Sequence, residues 1–233
     1  ELQTFWRCAN VMAISRMGYT DHGPTHVKIV ANSALKILRI LVKSGVVPNV
    51  VKDYSLTNED AEVVVVLASV FHDLGMIVTR ERHEEYSVML ALRFLQRHLP
   101  VVYSEDESAM ICSEVLHALL AHHPQQKVLT LEAGVVRIAD ALDMEEGRAR
   151  IPFQAGKVDI HAISALSIEK VELVEGTEKP VVIKIRMSNS AGIFQIDELL
   201  KARILGSGLE KYVHVVAEIV GEKERKIIEK FEI

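Results

Sequence analysis

Histidines and aspartates are the residues of this chain best suited to chemistry, and the histidines are unevenly distributed. Eight of the ten histidines fall between positions 22 and 123. Those that stand where a predicted helix begins or ends are His22, His26, His72, His83, His122 and His123. Helix ends that meet at one end of a bundle can bring such side chains together at a metal. Neutral imidazoles and carboxylates are ligands for divalent ions such as manganese, iron, cobalt, nickel or zinc.

Two aspartates stand in apolar surroundings that disfavour a charge. Asp73 follows His72 after a long apolar stretch, and Asp140 lies within the mostly apolar segment that starts at Val135. Burying an ionised carboxylate is costly unless a partner binds it, and a metal ion is one such partner. A single histidine on an apolar helix is more often a core residue than a ligand. The His72-Asp73 pair and Asp140 therefore favour a metal site.

The order of these residues resembles the H…HD…D signature of HD-superfamily phosphohydrolases. His26 comes first, His72 and Asp73 follow within the segment Phe71-His-Asp-Leu-Gly, and Asp140 follows within Arg-Ile-Ala-Asp-Ala-Leu-Asp. The resemblance covers roughly residues 18–150. It implies that His26, His72, Asp73 and Asp140 hold one metal ion.

Further segments resemble the members of this superfamily that bind two metals. The segment around His83 is similar to one that supplies an extra histidine, and His122-His123 resembles the histidine pair of HD-GYP phosphodiesterases and, most closely, of the HD domain of ribonuclease Y. The resemblance implies that Asp73 bridges two ions, with His83, His122 and His123 at the second. His22, one helical turn before His26, is where some of these members place another ligand. The expected cofactor is one or two divalent ions of manganese, iron, cobalt, nickel, magnesium or zinc.

The resemblance implies a metal-dependent phosphohydrolase or phosphodiesterase that acts on a nucleotide or another small phosphoester through a metal-activated hydroxide. In that interpretation the catalytic residues are Asp73, which bridges the metals, His123, which protonates the leaving oxygen, and Arg148, which clamps phosphate. His22 is the alternative to His123 for the protonation. Arg150 is a second candidate for this clamp, and a solvated basic turn is the alternative for both arginines. Met76 replaces the lysine that many relatives place after the HD pair, and no GYP motif follows Pro124. The missing GYP motif argues against activity on cyclic-di-GMP. Met76 and the appended C-terminal domain support an alternative function, a non-catalytic regulatory module that binds metal and nucleotide. The diiron oxygenase branch of the superfamily is a second alternative.

Helical periodicity dominates the first two-thirds of the chain, and it places the histidines at helix ends. The predicted helices are an amphipathic helix before Gly18, Pro24–Lys43, Thr57 to about Asp73, Glu85–His98, Glu105–His122 and Leu131–Glu145. Thr57 and Asp60 are expected to cap the start of the helix at Thr57. After about Pro152 the two-residue period of a half-buried strand appears at Val181–Met187 and Val213–Ile219. Weaker strand patterns lie at Ser167–Val174 and Lys226–Ile233, with a short helix around Ile196–Ile204.

The predicted fold is mainly α: an HD-domain helical bundle over residues 1–155, followed by a small α+β domain of β-β-α-β-β order over residues 156–233. The last part also resembles the tail of uncharacterised archaeal and bacterial HD proteins, which implies no activity for it.

Composition limits the other classes of function. The net charge is −5, with no block of lysine or arginine, so a small substrate is favoured over nucleic acid. Two cysteines are too few for a disulfide framework, and no apolar run is long enough to span a bilayer, so we expect a cytoplasmic protein without a membrane segment. Open sheet edges in the last part favour a homodimer.

Overall fold

A computed structural model of the protein describes residues 1–148 and 160–220. Its N-terminal part is a bundle of helices, which begins with a helix at Leu2–Asn10 and a π-helical turn at Val11–Arg16. The helices of this part are α1 (Leu2–Asn10), α2 (Pro24–Lys43), α3 (Asn49–Tyr54), α4 (Asn58–Phe71), α5 (His83–His98), α6 (Glu105–Ala121) and α7 (Leu131–Ala141). The helix predicted before Gly18 is confirmed as α1 and the π-helical turn, and the other five predicted helices are confirmed with ends that differ by up to four residues. The six-residue α3 was not predicted.

The helix starts follow from local chemistry. The Thr57 hydroxyl accepts a hydrogen bond from the Asp60 backbone N–H, and the Asp60 carboxylate accepts one from the Thr57 N–H, a capping box. Ser104 and Glu107 start α6 in the same way. Pro24 occupies the first turn of α2, where its missing donor is not needed.

The core lies between α2, α4, α6 and α7, which pack against one another. The apolar stretch of α4 is buried at Val64, Val65 and Ala68, so this helix contributes directly to the core. Burying such faces is the main source of stability of a helical bundle.

The C-terminal part contains a three-stranded sheet in the order β1–β2–β3. Its elements are α8 (Ile160–Leu166), β1 (Ile168–Glu175), β2 (Val181–Met187), a π-helical segment at Gln195–Leu200, α9 (Lys201–Leu205) and β3 (Val213–Ile219). β1 and β2 are antiparallel, whereas β2 and β3 are parallel and joined through the helical segment. The β-β-α-β order is confirmed. The fourth predicted strand, Lys226–Ile233, and the predicted domain boundary after residue 155 lie outside the described residues.

The C-terminal part contacts the helical bundle at a buried arginine. Arg137 of α7 is 1% exposed, and its Nη1 donates a hydrogen bond to the Gly206 carbonyl over 2.7 Å. Its other donors bind carbonyls at the end of α6 and directly after it, including those of Ala121 and His123. A buried guanidinium needs such acceptors, so this side chain connects the end of α6 with the C-terminal part.

None of the helices within the described ranges combines the length and the apolar character needed to span a bilayer.

Candidate metal centre

The ends of five helices supply the histidines and aspartates of one buried cluster. His26 lies in the first turn of α2, His72 and Asp73 directly follow α4, and His83 opens α5. His122 directly follows α6 and Asp140 is in the last turn of α7. The convergence of helix ends that the sequence predicted is confirmed.

The first group of ligand atoms comprises His26, His72 and Asp140. The Nε2 atoms of His26 and His72 lie 3.1 Å apart. His26 Nε2 is 3.4 Å from Asp140 Oδ1 and 3.2 Å from Asp73 Oδ2. All four side chains that the H…HD…D signature implies therefore meet in one place.

The second group comprises Asp73, His83 and His122. Asp73 Oδ1 lies 3.2 Å from His83 Nε2, and the Nε2 atoms of His83 and His122 are 3.3 Å apart. Asp73 thus turns one carboxylate oxygen towards each group, which is the arrangement of a bridging ligand.

Hydrogen bonds at the far nitrogen fix the tautomer of each ring. The Nδ1 atoms of His72, His83 and His122 donate to the backbone carbonyls of Ser69, Arg80 and Leu119. His26 Nδ1 lies 2.6 Å from Asp143 Oδ2, also an acceptor. With one proton held on Nδ1, each ring in its neutral form presents the Nε2 lone pair to the cluster, the state in which histidine binds a metal.

The donor set fits divalent ions. Within each group, imidazole lone pairs and carboxylate oxygens face one another as acceptors, which repel unless a cation or a proton lies between them. The buried Oδ2 of Asp73 has no hydrogen-bond partner among the described residues. Two groups of three such atoms suit one or two ions bound by nitrogen and oxygen.

The pKa values of the first group also indicate a site that favours a bound cation. Burial lowers the pKa of His72, but Asp73 and Asp140 outweigh burial and raise that pKa to about 10. Burial and Arg148 lower the pKa of His26, and the nearby aspartates, Asp140 first, reverse the shift and raise it to about 9. The pKa values of Asp73 and Asp140 stay well below their usual range despite burial. The carboxylates are therefore charged, and a metal ion could take the place of the protons.

His22 and His123 lie beside the two groups and belong to neither within the described residues. The His22 ring is buried, its centroid is 5.7 Å from that of His26, and burial lowers its pKa to about 4. His123 is partly exposed and accepts a hydrogen bond from the Gln125 N–H at Nδ1 over 3.4 Å. Both line the cavity beside the cluster, so their predicted roles as ligands stay predictions.

A cavity of about 600 Å³ opens beside the cluster, within the usual size range of small-molecule sites. Arg148 lines it and donates through Nη1 to the Asp143 carbonyl over 2.8 Å, with Nε 3.3 Å from the Asp21 carbonyl. Its side chain is 19% exposed. A solvated basic turn, the alternative for Arg148, does not describe this position. Arg150 lies outside the described residues.

Three residues with a clear place in the site were not predicted to act there. Asp143 orients His26, and its position three residues after Asp140 in the predicted helix Leu131–Glu145 was the signal available in the sequence; in the structure it follows the end of α7. The hydroxyl of Ser87 donates to the His72 carbonyl over 2.6 Å and accepts from the Gly75 N–H over 2.8 Å. Arg203 lies 3.4 Å from Asp140 through Nη1, and nothing in the sequence pattern marks it.

Met76 stands where many relatives have a lysine, and it is fully buried. It packs with Ala9 and Ala13 beneath the N-terminal helices. This position therefore offers no phosphate contact, so any positive charge that the substrate needs must come from elsewhere in the cavity.

Comparison with known proteins agrees with the site. A model of the HD domain family matches residues 25–145. The chain is also 45% identical over 233 residues to an uncharacterised protein of Methanocaldococcus jannaschii, covering all of this chain and 89% of that protein. The family match covers more than half of the chain and contains His26, His72, Asp73 and Asp140. The protein therefore belongs to the HD domain family, a superfamily of metal-dependent phosphohydrolases.

Proposed function

We propose that the protein is a metal-dependent phosphohydrolase or phosphodiesterase that acts on a nucleotide or another small phosphoester. The observation that carries this proposal is the pair of ligand groups that share Asp73 beside a cavity. The negative net charge and the size of the cavity support a small substrate over a nucleic-acid chain.

His26, His72 and Asp140 would hold one ion and His83 and His122 a second, with Asp73 between them. Bound divalent ions supply Lewis acidity, which lowers the pKa of water towards neutrality and neutralises charge on a phosphoryl group. Asp143 keeps the His26 ring in the tautomer that binds metal. These residues position the ligand atoms before the ion and the substrate bind.

Arg148 and His123 are assigned to the substrate. The Arg148 guanidinium matches phosphate oxygens in shape and charge, and its two backbone acceptors hold it at the cavity. Because His123 accepts a hydrogen bond at Nδ1, a neutral ring carries its proton on Nε2. Burial lowers the pKa of His123, so its protonated form releases a proton more readily. We assign to the protonated ring the donation of a proton to the leaving oxygen, which leaves the ring neutral.

The test combines metal analysis with hydrolysis of bis-p-nitrophenyl phosphate in the presence of manganese. We expect H72A and D73A to lose bound metal and turnover while they remain folded by circular dichroism. His98 is exposed and outside the cluster, so H98A is the matched control and should behave as the wild type.

A wild-type protein that stays metal-free after manganese, iron and zinc are offered would contradict the proposal. Bound metal without turnover on the diester and on a panel of nucleotides would instead favour the non-catalytic module, for which the burial of Met76 is the supporting observation. Oxygen consumption by the iron-loaded protein would favour the oxygenase branch.

A further inference from the structure

One face of a C-terminal helical segment forms part of the wall of the metal-centre cavity. The segment runs from the π-helical turns at Gln195–Leu200 into α9, and Gln195, Leu199 and Arg203 line the cavity. These residues are four apart, so they lie on one helix face. They also lie far beyond residues 25–145, which the family match covers. The family resemblance therefore assigns no role to this wall.

Arg203 brings a positive charge to the metal centre. Its Nη1 lies 3.4 Å from Asp140 Oδ2 and donates to the His122 carbonyl. Asp140 belongs to the first ligand group and His122 to the second, so the guanidinium lies beside both. The side chain is 22% exposed and faces the cavity.

The guanidinium has more donors than these two contacts use. Arginine carries five N–H groups, and among the described residues only Nη1 has a hydrogen-bond partner. In addition, a cation next to bound divalent ions repels them, which is most readily offset by an anion bound between them. Arg203 is therefore better placed to bind an anionic ligand than to serve only as a support for Asp140.

Leu199 gives the same wall an apolar character. It is 41% exposed although it lines a cavity, and Ala165 and Met144 are further apolar residues of the lining. One helical turn separates it from Arg203, a rise of about 6 Å. A ligand that reaches both would carry a phosphate at one end and an apolar or ring-bearing group next to it.

We infer that this helix face selects the substrate: Arg203 binds a phosphate oxygen beside the metal centre, and Leu199 packs against the organic group that carries the phosphate. The inference rests on the proposed function for the presence of a phosphate, and it names the ligand class as an organic phosphate with a bulky group close to the phosphorus. The C-terminal part then contributes directly to the site, and substrate choice depends on residues outside the HD bundle.

The experiment measures binding, so that it does not depend on turnover. Inorganic phosphate and a nucleoside 5′-monophosphate are titrated into the manganese-loaded full chain by calorimetry, with bound metal determined on the same samples. The variants are R203Q, R203K and L199N. The controls are K201Q and L205N, which change an exposed lysine and an exposed leucine of the same segment that do not line the cavity.

We expect R203Q to weaken the binding of inorganic phosphate roughly 10- to 100-fold, the usual effect of losing a charge-assisted hydrogen bond, with bound metal unchanged. R203K should fall between, since lysine keeps the charge and loses the planar fork. L199N should leave the affinity for inorganic phosphate unchanged and weaken the nucleotide several-fold. Both controls should match the wild type.

Three outcomes would overturn the inference. Loss of metal in both R203Q and R203K would make Arg203 a support of Asp140 and His122. Unchanged phosphate affinity in metal-loaded R203Q would remove its role in binding. Equal effects of L199N and L205N on the nucleotide would remove the role of Leu199. Binding that depends on Arg203 in a protein that hydrolyses no ester would keep the inference and contradict the proposed function, so the two failures can be told apart.

Discussion

Gly75 allows the backbone of α5 to approach closely, and its substitution should disturb the second ligand group more than the first. A Cβ atom at Gly75 would lie 2.0 Å from the His83 carbonyl oxygen and 2.7 Å from the Ser87 backbone nitrogen. Ordinary contact begins at 3.4 Å, so in G75A the start of α5 must move by about 1.4 Å. The atoms that block the Cβ are backbone atoms, which no side-chain rotation can remove.

His83 is the first residue of α5, so this movement displaces His83 from the rest of the second ligand group. His26 and Asp140 of the first group lie on other helices, so we expect them to be affected less. A shift of about 1 Å can cost two orders of magnitude in a site that depends on geometry. We expect G75A to bind the more weakly held ion at least about 10-fold less tightly, and overpacking to reduce the free energy of unfolding by about 1–3 kcal/mol. Metal stoichiometry by elemental analysis and thermal unfolding are the measurements.

Gly147 provides the matched control because a Cβ there meets no atom within 4 Å among the described residues. G147A should keep wild-type metal content and thermal stability. If G75A retained the full metal complement with unchanged affinity and stability, the close approach of α5 to Gly75 would not be required for metal binding. The reasoning from this contact would then be wrong.

Three further substitutions test single interactions. D143N keeps an acceptor for His26 Nδ1 but removes the charge behind it, so metal affinity should fall about 10- to 100-fold by competition with a chelator; unchanged affinity would contradict an orienting role. Burial raises the pKa of Glu132, whose Oε1 accepts a hydrogen bond from the Val50 N–H. The contribution of Glu132 to the free energy of unfolding is therefore complete below the pKa of the unfolded chain, and it is lost as the pH rises through the pKa of the folded protein. E132Q does not titrate, and relative to E132Q the wild type should lose stability as the pH rises over that interval in denaturant titrations; a constant difference would refute this. T57A removes the cap of α4 and should cost about 1 kcal/mol by the same method, with no loss of metal.

The helices that carry the ligands could be predicted because their signals are local. Apolar residues at spacings of three and four predicted α2, and the capping box at Thr57 and Asp60 predicted where α4 begins. Once helix ends are known, histidines at those ends are expected to meet at one end of the bundle. Which of these residues form the ligand set was implied by the H…HD…D resemblance, and not by the helix boundaries alone.

The parts that could not be predicted depend on contacts between distant segments. Alternation in Val213–Ile219 predicted a strand, but alternation does not say which neighbour it joins or in which direction. The parallel pairing with β2 needs the helical connection to cross over the sheet. Arg203 lies in that connection, so its contact with Asp140 depends on the same packing. The local sequence therefore could not predict this contact.

The end of α6 shows how the two parts of the chain jointly fix one ligand. The last carbonyls of a helix have no partner within the helix, and a cation near them is favourable. Here the Ala121 and His123 carbonyls accept from Arg137, and the His122 carbonyl accepts from Arg203. These bonds hold the backbone on both sides of the His122 ring, which itself donates to Leu119. Because Arg137 also binds Gly206, the position of a ligand in the second group is determined by the docking of the C-terminal part as well as by the helix that precedes it.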